Sequence, residues 1–368
     1  MTRTRTIAVV TGSRAEYGLL KPVLAAIDLH EALTLRLLVT GVHLLEGVET
    51  VEEIRREWPI AAEVPMQERG DSGQLADARS LGRGIIGVAT EFERLRPDVV
   101  VVLGDRIEAF AAASAASVGA IPLAHLHGGD RAEGIADEAI RHAVTKLANV
   151  HFPATAKSAE RIERMGEDPT TINCVGSPAV DGIEHVPPLD DATFEALGAP
   201  RTIFLMHGVG EHAAVEQERA TEVLEACSQH GAVLALAPNA DAGSDGVRAA
   251  IEASPPSVRA MPHLPRPQFI GALKRIDVLV GNSSAGLIEA AVIGCNAINI
   301  GSRQRGRERA HNVVDLGEPK ALRASLSELA TRSVPCDHPY GDGASGERVA
   351  EVLARLDLAT LPRKCSIY

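Results

Sequence analysis

Titratable side chains are concentrated in the residues that follow two predicted strands near the middle of the chain. Gly104 and Asp105 follow the β-branched run Val99–Leu103, and a dense polar set comes between residues 125 and 142. This set consists of His125, His127, Asp130, Arg131, Glu133, Asp137, Glu138, Arg141 and His142. Carboxylates and imidazoles are the side chains that commonly exchange protons in enzymes, so the stretch could support acid–base chemistry. An exposed helix start with one Asp137–Arg141 salt bridge is the simpler alternative.

The elements around these residues favour the acid–base interpretation. Val99–Leu103 is typical of a strand buried on both faces, and Ala109–Val118 predicts a thin helix that Gly119 ends. A second strand is predicted over Ile121–Leu126. Because open parallel sheets bind ligands at the carboxyl ends of their strands, Asp105 and the polar residues after Leu126 are expected on one edge of a sheet.

The second half of the chain repeats this pattern of a predicted strand followed by polar residues. The residues placed in this way are His207, Asn239, Asp241, Ser283, Ser284 and Arg303. The segment Gly281–Gly286 (GNSSAG) could cradle a phosphate, because small residues let backbone N–H groups approach its oxygens; a serine N-cap is the alternative. Glu289 would repel a phosphate and better suits the paired hydroxyls of a ribose. The loop after the last of these strands carries four arginines, which form either a phosphate clamp or a solvated basic loop: Arg303, Arg305, Arg307 and Arg309.

An anion site is also predicted near the N-terminus. Thr6–Val10 is a predicted strand, and Gly12 and Ser13 would open the following helix, whose free N–H groups and Arg14 favour an anion. A structural turn with a surface arginine is equally compatible with these residues. The G-x-G-x-x-G fingerprint is absent, so a nicotinamide cofactor is not supported.

Composition limits the class of protein. A chain of 368 residues predicts two domains, and a net charge of −12 argues against a general nucleic-acid or membrane surface. The five cysteines contain no C-x-x-C pair, and no stretch is long and apolar enough for a signal peptide or a membrane span, so we expect a soluble cytoplasmic protein. Irregular sequence after Pro178 predicts the boundary, giving domains at 1–178 and 179–368. The predicted fold class is α/β, with two Rossmann-like domains facing across a cleft.

With these residues in hand, the sequence resembles the hydrolysing UDP-N-acetylglucosamine 2-epimerases of sialic-acid and legionaminic-acid type pathways, which have a glycosyltransferase-B-like fold. The motifs that carry the resemblance are TGSRAEYGLL, LGDRIE, HLHGGD, DEAIRHAVTKLANVHF, PNADAGS, GNSSAGLIEA and NIGSRQRGR. The resemblance implies that a nucleoside diphosphate is eliminated from the sugar to give a 2-acetamidoglucal. Water is then added to release N-acetylmannosamine or its analogue, and neither a metal nor a redox cofactor is required.

The resemblance also implies roles for individual residues. The nucleotide-sugar substrate would be held by Arg14, Glu138, Arg141, His142, His207, Asn239, Asp241, Ser283, Ser284, Glu289 and Arg303. The catalytic set would be Asp105, His127, Asp130 and Asp137, with Asp105 and Asp137 as the candidates for proton transfer. The family also implies a homodimer or homotetramer, and no nucleic-acid or membrane partner.

One departure from the family pattern affects the substrate. Animal enzymes of the family read H-I-E-G-G where this chain has His125–Gly129, so their carboxylate position is occupied by His127. An imidazole could serve as acid or base, and Asp130 could supply a carboxylate, whereas a purely structural histidine is the alternative. The substituents of the 2-acetamido sugar, and whether it is linked to UDP or GDP, therefore stay open. A non-hydrolysing epimerase, a glycosyltransferase of the same fold and a nucleotide-sugar-binding regulator are the competing functions.

Overall fold

Two parallel six-stranded sheets organise the structure. The computed structural model describes residues 4–45, 50–68, 70, 73–131, 138–239, 243–329, 332–361 and 364. The strands are β1 Arg5–Thr11, β2 Leu33–Thr40, β3 Ile60–Val64, β4 Val99–Leu103, β5 Leu123–Leu126, β6 Val150–Phe152, β7 Thr202–Leu205, β8 Val233–Leu236, β9 Val258–Met261, β10 Val278–Gly281, β11 Asn296–Ile300 and β12 Val313–Leu316.

Helices connect the strands. They are α1 Arg14–Leu29, α2 Thr50–Glu57, α3 Gln74–Leu95, α4 Ile107–Val118, α5 Glu138–Leu147, α6 Ala156–Arg164, α7 Asp191–Ala196, α8 Ala213–His230, α9 Ser244–Glu252, α10 Arg266–Leu273, α11 Glu289–Ile293, α12 Leu322–Leu329 and α13 Ser345–Arg355. Across the described ranges, no helix combines the length and the apolar run needed to span a membrane.

Both sheets have the strand order of a Rossmann fold. The first is ordered β3-β2-β1-β4-β5-β6 and the second β12-β11-β10-β7-β8-β9, which is the same topology when its six strands are numbered from β7. All the pairings are parallel. The predicted α/β class with two Rossmann-like sheets is confirmed, and the carboxyl ends of the strands in each sheet lie on one edge.

The chain forms two compact units whose boundary differs from the predicted one. The first unit contains the described residues up to Asp130, those from 138 to 181 and those from Tyr340 onward. The second contains Arg131 and the described residues between 182 and 339. The predicted boundary puts everything after residue 178 in the second domain. The C-terminal segment belongs to the first unit because α13 packs on α1, with Val349 and Leu353 fully buried in the same cluster as Val23.

Buried residues explain where sequence patterns succeeded. All five residues of β4 are buried, and the strand has the predicted bounds. The segment Thr171–Val175 forms a single bridge, between Ile172 and His151, rather than a strand. Asp168 starts a 3₁₀ turn there by accepting the Thr170 N–H, so local side-chain bonding replaces the strand.

Close packing at Gly12 leads to a first prediction. A Cβ at Gly12 would lie 2.3 Å from Cβ of Glu108, whereas a Cβ at Gly18 would meet no atom within 4 Å. We expect Gly12→Ala to lower the free energy of unfolding by about 1–3 kcal/mol through overpacking. The control Gly18→Ala, inside α1, should raise it by roughly 0.5–1 kcal/mol. Urea unfolding measures both, and equal effects would contradict the predicted clash.

Candidate active site

Arg141 is the centre of a polar cluster at the carboxyl edge of the first sheet. Its side chain is only 2% exposed, although α5 places it one turn from the helix start. One nitrogen of the guanidinium pairs with Asp105, which follows β4 after Gly104, and Nη1 lies 2.5 Å from Oε2 of Glu138. Nη1 also donates to the backbone carbonyl of Asp130 at 3.1 Å. A buried guanidinium with two carboxylate partners thus fixes three segments of the site.

Asp105 and Glu138 keep part of their surface open. Their side chains are 18% and 21% exposed, in contrast to that of Arg141. His142 is 41% exposed, and its Nε2 lies 3.4 Å from the other Glu138 oxygen. Asp105, Glu138, Arg141 and His142 are therefore gathered in one cluster, as their predicted positions required. Asp137, the second predicted proton-transfer residue, lies outside the described residues.

His127 and Asp130 form a separate, buried hydrogen-bond chain. Nδ1 of His127 lies 2.8 Å from Oδ2 of Asp130, and Oδ1 of Asp130 accepts from the Ser158 hydroxyl at 2.8 Å. On the other side of the ring, Nε2 lies 3.0 Å from Oγ of Ser177. His127 also has φ of +61°, a left-handed conformation that costs a non-glycine residue roughly 1–2 kcal/mol. Such strain is retained where surrounding contacts fix it, often at functional sites.

A second carboxylate pair at this sheet edge was missed by sequence reasoning. Glu16 in the first turn of α1 and Glu108 in the first turn of α4 are both buried. Oε2 of Glu16 accepts the Gly12 N–H at 3.3 Å, and Glu108 packs directly against Gly12. Burial, and then the charge of Glu108, raise the pKa of Glu16 to about 8, against the opposing effect of Arg106. The only sign of this buried pair in the sequence is glycine at positions 12 and 41, where a Cβ would overlap the side chain of Glu108.

The raised pKa of Glu16 makes stability depend on pH. Between its ordinary value of 4.5 and about 8, the folded protein holds a proton that the unfolded chain has lost. Stability is therefore greatest below pH 4.5 for this group and is lost as the pH rises through 8. We expect the free energy of unfolding of Glu16→Gln, measured relative to that of wild type, to rise by roughly 2–5 kcal/mol from pH 5 to pH 8.5. Unfolding in guanidinium chloride at both pH values measures this rise, with the exposed Glu31→Gln as the control. An equal change of stability with pH in wild type and Glu16→Gln would contradict the prediction.

Asn282 organises the edge of the second sheet. It follows β10, and its side chain bridges the backbone of His207, with Oδ1 accepting the His207 N–H at 2.7 Å and Nδ2 donating to the His207 carbonyl at 2.9 Å. The His207 ring is buried, and Nδ1 accepts the Asn239 N–H at 3.1 Å. Burial, and then the positive charge of Arg303, lower the pKa of His207 to about 3. The ring is thus neutral with its proton on Nε2, ready to donate to an anion.

The remaining predicted nucleotide residues lie on the same edge. Arg303 follows β11, and its Nη1 donates to the Asn282 carbonyl at 3.3 Å. Ser283 caps a 3₁₀ turn that starts at Ser284, which favours the N-cap role without excluding a ligand. Glu289 is the first residue of α11, where one of its carboxylate oxygens lies 3.3 Å from Nη1 of Arg266. Asp241 lies outside the described residues.

Arg14 stands at the start of α1, as the sequence predicted. Its side chain is 45% exposed, and one guanidinium nitrogen lies 3.4 Å from Glu53. Nowhere in the described ranges do three or more His, Cys, Asp or Glu side chains form a group that could hold a metal ion.

Comparison with known proteins assigns the family. A family model described as UDP-N-acetylglucosamine 2-epimerase matches residues 25–354, which is most of the chain and includes the clusters around Arg141 and Asn282. This chain belongs to the UDP-N-acetylglucosamine 2-epimerase family. The resemblance inferred from the motifs is thereby confirmed, and the protein is an enzyme of this family.

Individual relatives agree with the family assignment. The chain is 36% identical to a UDP-N,N'-diacetylbacillosamine 2-epimerase (hydrolyzing) of Legionella pneumophila, over 99% of this chain and 100% of that one. It is 29% identical to a UDP-N-acetylglucosamine 2-epimerase of Neisseria meningitidis, over 94% of each. A crystal structure of UDP-GlcNAc 2-epimerase from N. meningitidis bound to UDP-GlcNAc has a TM-score of 0.79 at 17% identity, covering 95% of this chain and 100% of that one. At this identity, the structure supports the fold alone.

Proposed function

We propose that this protein is a hydrolysing NDP-sugar 2-epimerase that acts on a UDP-linked 2-acetamido sugar, with UDP-N,N'-diacetylbacillosamine as the preferred candidate. The observation that carries the proposal is the 36% identity to a hydrolysing enzyme for that sugar over nearly the whole of both chains. His127 also stands where animal enzymes of the family have a glutamate. UDP-N-acetylglucosamine, the substrate in the name of the 29% identical relative, is the second candidate.

The first half of the proposed reaction is an elimination. A base removes the proton on C2, the electrons of that bond form the C1–C2 double bond, and the C1–oxygen bond breaks to release the nucleoside diphosphate. Asp105 is our candidate base, because it is partly open and is held by Arg141. A base held in this way loses little orientational freedom when the substrate binds.

The second half is a hydration. Water supplies a hydroxyl to C1, and a proton is delivered to C2. The proton arrives on the face opposite to the one from which the first proton was removed, so the free sugar has the inverted configuration at C2. Glu138 and His142 lie together beside Arg141, and we propose that they help to deliver this proton together with Asp137. Both nitrogens of the His127 ring are occupied within the protein, which supports a holding role for His127 rather than direct proton transfer.

The second unit is proposed to bind the nucleotide. The neutral His207, with a proton on Nε2, and Arg303 offer donors to the diphosphate, and Asn282 holds the two elements that carry them. Donors that stabilise the departing diphosphate lower the barrier to the elimination. Ser283, Ser284, Asn239 and Glu289 are proposed to complete the nucleotide site.

Glu289 is expected to act in substrate binding rather than in turnover. If its carboxylate binds the ribose hydroxyls, Glu289→Gln should raise KM by roughly 10- to 100-fold, since a charge-assisted hydrogen bond is worth about 1.5–3 kcal/mol, and kcat should change little. Asp277→Asn is the matched control. That acid pairs with Arg201 just before β10, at the end of the strand opposite to Asn282 and Ser283. A change in kcat without a change in KM would contradict the ribose role. Initial rates of UDP release measure both parameters.

The experiment that tests the proposed function compares substrates and products. Purified protein is incubated with UDP-N,N'-diacetylbacillosamine, UDP-N-acetylglucosamine and the GDP-linked forms of both sugars, and the products are identified by mass and proton NMR. We expect UDP and a free sugar with the configuration at C2 inverted, formed fastest from the bacillosamine substrate. A sugar that stays on UDP would indicate a non-hydrolysing epimerase, and transfer only to an added acceptor would indicate a glycosyltransferase.

The expected homodimer or homotetramer and the cytoplasmic location stay predictions from the family resemblance and the cysteine pattern. Light scattering of the purified protein distinguishes these oligomers from a monomer. Fractionation of the native cells tests the location.

A further inference from the structure

Ser177 is an unassigned member of the buried chain that contains His127 and Asp130. It lies 50 positions after His127 in the sequence and is fully buried. Its Oγ lies 3.0 Å from Nε2 of the His127 ring. Oγ of Ser177 also accepts the Ala179 N–H at 3.2 Å. In the order Ser177, His127, Asp130 and Ser158, the three side-chain contacts measure 3.0, 2.8 and 2.8 Å.

The donors and acceptors in this chain fit a His127 ring that carries a proton on Nδ1. The carboxylate of Asp130 accepts, so Nδ1 of His127 carries the proton between them. The Ser177 oxygen already accepts from Ala179, and its own proton is satisfied when it donates to Nε2. With a proton on Nδ1 and none on Nε2, both nitrogens of the His127 ring and the Ser177 hydroxyl have hydrogen-bond partners within the described residues. A proton on Nε2 instead would place two donors against each other or leave Nδ1 facing a carboxylate as an acceptor.

Asp130 links this chain to the catalytic cluster. While its carboxylate is fixed by His127 and Ser158, its backbone carbonyl accepts from Arg141, which pairs with Asp105 and Glu138. The neighbouring turn is tight, since a Cβ at Gly129 would lie 2.3 Å from the Ser158 carbonyl. Movement of the Asp130 side chain would therefore be transmitted to the position of the Arg141 guanidinium.

We propose that Ser177 is a positioning residue, which holds His127 as the Nδ1–H tautomer so that Asp130 keeps Arg141 directed at Asp105 and Glu138. This inference rests on the proposed epimerase function and deepens it. Ser177 acts through His127 and Asp130 and does not touch the substrate. Supporting groups of this kind typically change activity by about 10- to 100-fold when they are removed.

The test combines kinetics with histidine NMR on the full chain. Ser177→Ala is compared with wild type and with Ser114→Ala, whose hydroxyl donates to the Phe110 carbonyl on α4, outside this hydrogen-bond chain. UDP release from the best substrate gives kcat and KM. One- and two-bond couplings in ¹⁵N-histidine-labelled protein identify the tautomer of His127, assigned by the signal that His127→Asn removes. Thermal unfolding reports whether each variant is folded.

We expect the His127 ring of wild type to be the Nδ1–H tautomer. Ser177→Ala should lower kcat by about 10- to 100-fold with KM within threefold, and should remove the single-tautomer signal. Ser114→Ala should match wild type. An Nε2–H tautomer in wild type, or a folded Ser177→Ala protein with unchanged kcat, would overturn the inference. If Ser177→Ala does not fold, the wild-type tautomer alone decides. Wild type that releases no UDP from any substrate would instead overturn the proposed function, whatever the tautomer.

Discussion

Asp105→Asn is expected to lower kcat by about 10²- to 10⁴-fold, the range typical of a removed general base, while KM changes much less. The asparagine keeps the size of the side chain but cannot accept the C2 proton. Stopped assays of UDP release over a range of substrate concentrations measure both parameters. This is the largest effect on activity that we expect from a single substitution in the described residues.

Asp98→Asn provides the matched control for Asp105. Asp98 lies just before β4, at the opposite end of the strand that Asp105 follows, and its Oδ2 accepts the Thr6 N–H at 2.8 Å. Its replacement should lower stability slightly and leave kcat near the wild-type value. If Asp105→Asn retained more than a tenth of the wild-type kcat while folded, Asp105 would not be the base.

The largest effect on stability is expected from Arg141→Met. Methionine fills similar space but removes the guanidinium that pairs with both Asp105 and Glu138, and leaves the Asp130 carbonyl without this donor. Removing one partner of a buried ion pair costs about 3–5 kcal/mol; we expect roughly 3, because both carboxylates keep about a fifth of their side chains exposed to water. Urea unfolding measures the loss, and kcat should also fall by more than about 10²-fold.

Arg141→Lys separates charge from geometry. Lysine retains the positive charge but cannot reach Asp105, Glu138 and the Asp130 carbonyl at once with a planar fork. Its stability should therefore lie between those of wild type and Arg141→Met, while its kcat should stay low. If the lysine variant were fully active, the fork geometry around Arg141 would not matter for the reaction.

Residues close together in the sequence were the easiest to predict. The β-branched run of β4 left one plausible structure, and the carboxyl-end rule for parallel sheets then placed Asp105 near Arg141. The cluster of Glu138, Arg141 and His142 follows from spacing on one short helix. The order of the motifs along the chain was specific enough to identify the family from the residues alone.

Contacts between distant segments could not be predicted in the same way. Ser177 lay in a segment that read only as an irregular boundary, and nothing local shows that its hydroxyl meets His127. Glu16 resembled an ordinary acid in the first turn of α1, yet it is buried beside Glu108. The C-terminal helix α13 has an amphipathic pattern that does not specify its partner, so its packing on α1 moved the domain boundary.

If the reaction proceeds through loss and return of the proton on C2, hydrogen from the solvent must appear on that carbon. The protein is incubated with its best UDP-linked 2-acetamido sugar in deuterated water, and the released sugar is analysed by proton NMR and mass spectrometry. We predict one deuterium at C2 of an inverted free sugar. A free sugar with unchanged configuration and hydrogen at C2 would show simple hydrolysis of the sugar nucleotide and would contradict the account.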